Sequence, residues 1–230
     1  MNSEQTPELF RRVRMHAALA DPTRLRIVDL LCLSDLSPSE VGAALDVPSN
    51  LLAHHLRVLE DAALVQRHRS EGDRRRTYLR LTADHASLRT DATTDRPAPT
   101  PRRVLFVCTA NTARSHLAAA LWRRASPVEA TSAGTHPGER VHRGALDVAR
   151  RHDLDLPDIA PRLLAETLDG GDLVITVCDR AHEEIGDLAW AHWSVPDPVP
   201  VGTRAAFEAA HDSLTARVRA LVPLTTAPTP

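Results

Sequence analysis

The stretch from Val104 to Ser115 constrains the fold of this chain more than any other. Four apolar residues, Val104-Leu105-Phe106-Val107, run directly into Cys108-Thr109-Ala110-Asn111-Thr112-Ala113-Arg114-Ser115, and a helical pattern through Leu117, Ala120 and Leu121 follows. A short run that is apolar at every position suits a strand covered on both faces, as in parallel sheets flanked by helices. The cysteine then falls at a strand-to-helix junction. A loop there turns successive backbone N–H groups and a helix N-terminus towards one point, which favours an oxyanion and negative charge on sulfur. An arginine fork can grip two oxygens of the same anion. Cys108 thus reads as a nucleophile, Arg114 as an oxyanion clamp and Ser115 as a hydroxyl donor to the thiolate. The backbone of Thr109, Ala110, Asn111, Thr112 and Ala113 forms the cradle. A C-x5-R spacing arises easily by chance; the strand before it and the serine after it give it weight.

Downstream, Asp172-Leu173-Val174-Ile175-Thr176-Val177 reads as a second buried strand, with Cys178 at its end, and Trp193-Ser194-Val195-Pro196-Asp197-Pro198 follows a shorter one. Asp197 is placed to act as a general acid in a loop restricted by Pro198, although an Asp-Pro pair is also an ordinary turn. On these residues alone, Cys178 reads as a buried structural thiol.

Before residue 82 the period is helical. Thr6-Pro7-Glu8 opens a first helix with Leu9, Phe10, Val13 and His16 at helical spacing, and Asp21-Pro22 opens a second with Leu25, Ile27, Val28, Leu30 and Leu31. Ser37-Pro38-Ser39-Glu40 is a capping box for a short helix ending near Leu45. Asp46-Val47-Pro48 forces a turn. A longer helix follows from Ser49 to Ala63, with Leu52, Leu56, Leu59 and Ala63 inward. Two strands, Val65–Arg69 and Thr77–Leu81, close on a Ser70-Glu71-Gly72-Asp73 hairpin turn. Short helix, tight turn, longer helix and basic hairpin is the order of a winged helix-turn-helix.

The 230 residues suffice for two domains. The expected division is a mainly α winged helix-turn-helix over 1–86, a Thr/Ala/Asp/Pro-rich linker over 87–101, an α/β domain over 102–224 and a tail over 225–230. A net charge of -2 gives no sign of nucleic acid, so a DNA-binding face must come from local clustering of arginine. No apolar run is long enough to span a bilayer, and the first residues lack a secretory core, so a cytoplasmic location without membrane contact is expected. Three cysteines, Cys32, Cys108 and Cys178, are too few for a disulfide scaffold.

ALADPTRLRIVDLL, LSPSEVGAAL and LLAHHLRVLEDAALVQRHRSEGDRRRTYLRL, in that order over residues 7–82, resemble the ArsR/SmtB family of bacterial repressors. The resemblance implies a homodimer on double-stranded operator DNA. Ser49, Asn50, His54 and Arg57 would face base edges or phosphates, while Arg67, Arg69, Arg74, Arg75 and Arg76 would neutralise phosphates. It also places Cys32-Leu33-Ser34 where relatives carry a thiolate pair. With one thiol left, Cys32 is expected to be a small buried hydrophobe rather than a metalloid ligand. Asp84 and His85 hint at the family's other metal site but lack the matching partners, and no bound metal is expected.

VLFVCTANTARS, TSAGTHPG, DLVITVC and WSVPDPV, over residues 103–223, resemble the low-molecular-weight protein tyrosine phosphatase superfamily, which includes thioredoxin-coupled arsenate reductases. This implies a four-stranded parallel sheet with helices on both faces and the site at the carboxyl ends of the strands. Ala110 replaces the usual glycine, and Ala113 removes a second loop cysteine. Val199-Pro200-Val201 stands where phosphatases carry tyrosines, and Cys178 stands where reductases carry a resolving thiol. Ile185 occupies the position of a further thiol. The resemblance therefore implies an arsenate reductase fused to a regulator, with no bound cofactor and an external reductant, thioredoxin or a low-molecular-weight thiol. The alternatives are a phosphatase using Cys108 and Asp197, and a non-catalytic repressor that senses oxyanion or oxidant through Cys108.

Overall fold

The computed structural model of the protein describes residues 6–82, 100–156 and 160–225. They form two compact units, one mainly from residues 6–82 and one mainly from residue 100 onward. Asp84, His85 and most of the 87–101 and 225–230 segments lie outside the described residues.

The first unit contains α1 (Pro7–Leu19), α2 (Pro22–Leu33), α3 (Pro38–Leu45), α4 (Ser49–Asp61), β1 (Val65–Arg69) and β2 (Thr77–Leu81). The side chains of Thr6, Asp21 and Ser37 accept from the backbone N–H groups of Leu9, Arg24 and Glu40, and each precedes a proline that opens its helix. Glu40 bonds back to the Ser37 N–H, completing the capping box. Asp46 turns left-handed (φ 52°) and ends α3. The core joins Ile27, Val28 and Leu31 of α2 to Val41 and Leu45 of α3, Leu52, Leu56 and Leu59 of α4, and Leu79 and Leu81 of β2, with Cys32 buried among them.

One expectation needs correction here. Ala63 is not on an inner helix face: α4 stops at Asp61, and Ala63 is exposed with φ 56° in the turn into β1. The apolar positions of α1 stand on a helix as their spacing indicates, with Leu9, Phe10 and Val13 exposed and only Ala18 of that helix buried. The two strands pair over the expected residues, Arg69 with Thr77, and the connection between them runs over residues 70–76. Asp73 shapes this longer turn by accepting from the Arg75 N–H at 3.0 Å.

The second unit contains β3 (Arg103–Cys108), α5 (Arg114–Ala125), β4 (Glu129–Gly134), α6 (Arg143–Arg151), α7 (Leu164–Thr167), β5 (Asp172–Thr176), α8 (Asp179–Ile185), β6 (Ala191–His192), α9 (Pro198–Val201) and α10 (Arg204–Thr225). The four strands pair in parallel in the order β4-β3-β5-β6. Every side chain from Val104 to Cys108 is buried, so helices cover both faces of β3. One layer packs α5 against α6 and α10, and α8 packs on β3 and β5. Phe106, Trp122 and Trp193 meet in this core, with the ring centroids of Trp122 and Trp193 5.9 and 5.6 Å from that of Phe106. Arg103 and Asp172 tie β3 to β5 through two bonds of 2.7 Å. Among the described residues, no helix is long and apolar enough to cross a membrane.

Candidate active site

Central strand β3 delivers Cys108 to the carboxyl end of the sheet, and α5 begins at Arg114, so the six intervening steps of chain close a loop around one point. The outer side of that loop is bonded backbone to backbone. The carbonyls of Cys108, Thr109, Ala110 and Thr112 accept from the N–H groups of Thr135, His136, Gly138 and His142 at 2.8–3.2 Å. With these carbonyls bonded outward, the loop can offer backbone amides to an anion. Gly134 permits this approach: a Cβ there would stand 2.6 Å from the Thr109 carbonyl oxygen.

Asn111 organises the loop from within. It is fully buried and left-handed, with φ 49°. Its Nδ2 donates to Ser115 Oγ at 2.8 Å and to Ser132 Oγ at 3.0 Å, and its Oδ1 accepts from the Arg162 N–H at 2.9 Å. Ala110, which stands where the resemblance places a glycine, does not adopt positive φ. The turn that needs a permissive residue falls on Asn111, a type that tolerates it.

Cys108 Sγ lies 3.1 Å from Ser115 Oγ and receives the Asn111 N–H at 3.2 Å. Arg114 Nη1 donates to the Val195 carbonyl at 2.8 Å, and Nη2 pairs with Asp197 Oδ2 at 2.9 Å. The clamp and the candidate acid therefore meet. Asp197 also caps α9, accepting from Val199 N–H at 3.1 Å, which explains the Asp-Pro pair: Pro198 supplies the first helical residue. Cys178, buried, caps α8 and faces Thr109 Oγ1 at 3.4 Å. Burial pushes its thiol up from the ordinary range, with Arg114 working against that shift. Cys108, Arg114, Cys178 and Asp197 line one pocket, closed on another side by Val199 and Pro200.

Next to Cys178 lies a buried polar chain that the sequence did not reveal. Asp179 Oδ1 lies 3.0 Å from His192 Nε2 and accepts from Ser194 Oγ, while Thr176 Oγ1 lies 3.0 Å from His192 Nδ1. Burial alone would raise the Asp179 carboxyl, but its bonds to His192 and Ser194 hold it at about 2. Behind the loop, burial lowers the neighbouring His116 to about 4. The signal for Asp179 is its place directly after Cys178. Nothing local marks Ser132, Arg162 or His192 as partners.

In the first unit, Asn50, His54 and Arg57 share the outer face of α4, opposite Leu52, His55, Leu56 and Leu59, and Ser49 is exposed at its start. Arg67, Arg69, Arg74, Arg75 and Arg76 are exposed along the hairpin. Arg67 pairs with Glu60 at 2.5 Å and Arg75 with Asp73 at 3.0 Å.

Comparison with known proteins agrees with both halves. Residues 103–227 match the family "Low molecular weight phosphotyrosine protein phosphatase" and residues 19–68 match "Helix-turn-helix domain". A Halobacterium salinarum protein named "Putative arsenate reductase" is 28% identical over 40% of this chain and 72% of its own. The "Transcriptional repressor SmtB homolog" of Synechocystis is 36% identical over 36% of this chain, which covers 56% of that repressor. The crystal structure of the tyrosine phosphatase amsI from Erwinia amylovora superposes with a TM-score of 0.48 and 23% identity, covering 55% of this chain and 95% of that one.

Proposed function

Because the chain belongs to the low molecular weight phosphotyrosine protein phosphatase family and carries an ArsR/SmtB-type helix-turn-helix domain ahead of it, we propose that it couples arsenate reduction to transcriptional control. The observation that carries the reductase reading is the second thiol: Cys178 lines the pocket of Cys108 and faces Thr109 of the loop. In a phosphatase the same thiol would serve only as a buried helix cap. The Halobacterium salinarum relative supports the same choice.

On this reading arsenate is held by the loop amides and the Arg114 fork. The Cys108 thiolate attacks arsenic, an S–As bond forms, and one oxygen leaves as water with a proton from Asp197, whose pairing with Arg114 parts as the anion enters. The Cys178 thiolate then attacks Cys108 Sγ. The S–S bond forms, the electron pair of the S–As bond passes to arsenic, and arsenic leaves reduced from the +5 to the +3 state as arsenite. An external thiol, thioredoxin or a low-molecular-weight thiol, reduces the Cys108–Cys178 disulfide, and the cycle uses no bound cofactor. The helix-turn-helix unit, acting as a homodimer, binds double-stranded operator DNA through the outer face of α4 and the arginines of the hairpin.

A trapping experiment tests the relay. Incubation with arsenate without reductant should yield one intramolecular disulfide between Cys108 and Cys178, read by mass spectrometry of peptides. Recovery of both thiols unchanged after arsenite has formed would overturn the relay. The second reading, hydrolysis of a phosphoester through phosphocysteine, draws on the family match and needs Cys108, Arg114 and Asp197 alone. Under it, Cys178→Ser sustains full turnover of an aryl phosphate, and wild type forms no arsenite.

A further inference from the structure

Three ligand-bearing side chains meet where α6 ends against α10, and the chemistry above uses none of them. His152 is the residue that ends α6, while Glu208 and His211 stand three apart on α10 and so share one face. One ligand atom from each lies within 4.8 Å of the other two. His152 Nε2 is 2.7 Å from Glu208 Oε2, and the rings of His152 and His211 stack with centroids 3.7 Å apart and an interplanar angle of 19°. At that separation the whole His211 ring, Nε2 included, lies beside His152.

His211 supplies the observation that points to a ligand. It is 4% exposed, its Nδ1 faces Asp212 Oδ1 at 3.0 Å, and its buried Nε2 has no hydrogen-bond partner. A carboxylate that accepts a hydrogen bond from Nδ1–H leaves Nε2 as a bare lone pair, the tautomer that metal-binding histidines adopt through just such an outer carboxylate. The carboxylate of Glu208 is oriented in the same way. Arg151 and Arg204 hold Oε1 at 2.7 and 3.5 Å, and Oε2 is left towards His152.

We propose that His152, Glu208 and His211 bind a divalent transition metal of the zinc class. Two imidazoles and one carboxylate are a three-ligand set for Zn2+ or Co2+, with water in the remaining position. The metal takes the place of the hydrogen between His152 Nε2 and Glu208 Oε2, and the neutral imidazole then carries its proton on Nδ1. Metal bonds of about 2.0–2.2 Å to a tetrahedral ion set its ligand atoms about 3.4 Å apart, so His152 Nε2 and Glu208 Oε2 part from 2.7 Å to admit it. The result is a clasp between α6 and α10. Because α10 also packs on α5, the helix that starts at Arg114, the clasp braces the layer behind the loop.

Equilibrium dialysis of the full-length protein against Co2+ tests this, using wild type, His152→Ala, Glu208→Gln and Arg150→Ala, whose exposed side chain pairs with Asp147 outside the site. Wild type and Arg150→Ala should each bind one more equivalent of Co2+ than His152→Ala or Glu208→Gln. The two ligand variants should weaken the site at least about tenfold. Zn2+ should raise the melting temperature of the tryptophan signal in wild type and Arg150→Ala only. Glu208→Gln keeps an oxygen for Arg151, and circular dichroism establishes that the variants are folded. Equal Co2+ uptake by wild type and both ligand variants, or no uptake by wild type, would overturn the proposal.

Discussion

Asn111→Ala should destabilise the α/β unit by about 4 kcal/mol, and Asn111→Gly by about 3. The side chain is fully buried and makes three hydrogen bonds, to Ser115, Ser132 and the Arg162 N–H. At about 1 kcal/mol each, their loss removes about 3 kcal/mol in either variant. Alanine adds a cost of about 1 kcal/mol at the left-handed φ of 49°, which glycine does not incur. Urea unfolding followed by tryptophan fluorescence reads this unit alone, because all three tryptophans, Trp122, Trp190 and Trp193, lie in it. The order of the two variants matters more than either value. An alanine variant within 1 kcal/mol of wild type, or one as stable as the glycine variant, would refute the view that Asn111 builds the loop by its side chain and its left-handed backbone together.

Gly134→Ala places a methyl group 2.6 Å from the Thr109 carbonyl oxygen, a backbone atom that cannot swing aside, so kcat/KM should fall by about 100-fold or more in steady-state assays. Asp179 predicts a pH dependence. Its carboxyl is held at about 2 in the fold, below the ordinary 3.8, so its contribution is complete above about pH 4 and is lost as pH falls towards 2. That contribution is about 2 kcal/mol, and Asp179→Asn should flatten the acid limb of stability, measured by urea midpoints between pH 5 and pH 2.5, by this amount. Arg57→Ala should lower the slope of log K against log salt for duplex DNA by about 1 in fluorescence anisotropy, while catalysis by the other unit is unchanged. An unchanged slope would remove Arg57 from the DNA contacts.

What could be read from the chain in advance follows from how local each signal is. The Ser37–Glu40 capping box, the paired strands of the hairpin and the strand-loop-helix around Cys108 are specified by neighbours in sequence, and each stands where the pattern put it. The cradle's support was legible only as a segment: TSAGTHPG could be recognised, but not that its amides hold the carbonyls of Cys108, Thr109 and Ala110. Contacts between distant segments left no local trace. Asp179 with His192, Asn111 with Ser132, and His152 with Glu208 and His211 come together only when the sheet and its helices pack. The exposed Leu9, Phe10 and Val13 show the reverse limit, since helical spacing announces a helix without saying which of its faces the unit buries.

The central claim is tested most directly by measuring arsenite released from arsenate by the purified full-length protein. Thioredoxin with its reductase and a low-molecular-weight thiol should be supplied in separate reactions, and wild type compared with Cys108→Ser and Cys178→Ser. Reduction by the Cys108–Cys178 pair predicts sustained arsenite from wild type with at least one reductant, none from Cys108→Ser, and loss of sustained turnover in Cys178→Ser with thioredoxin. No arsenite from wild type under either reductant, with Cys108-dependent hydrolysis of an aryl phosphate in the same preparation, would contradict it.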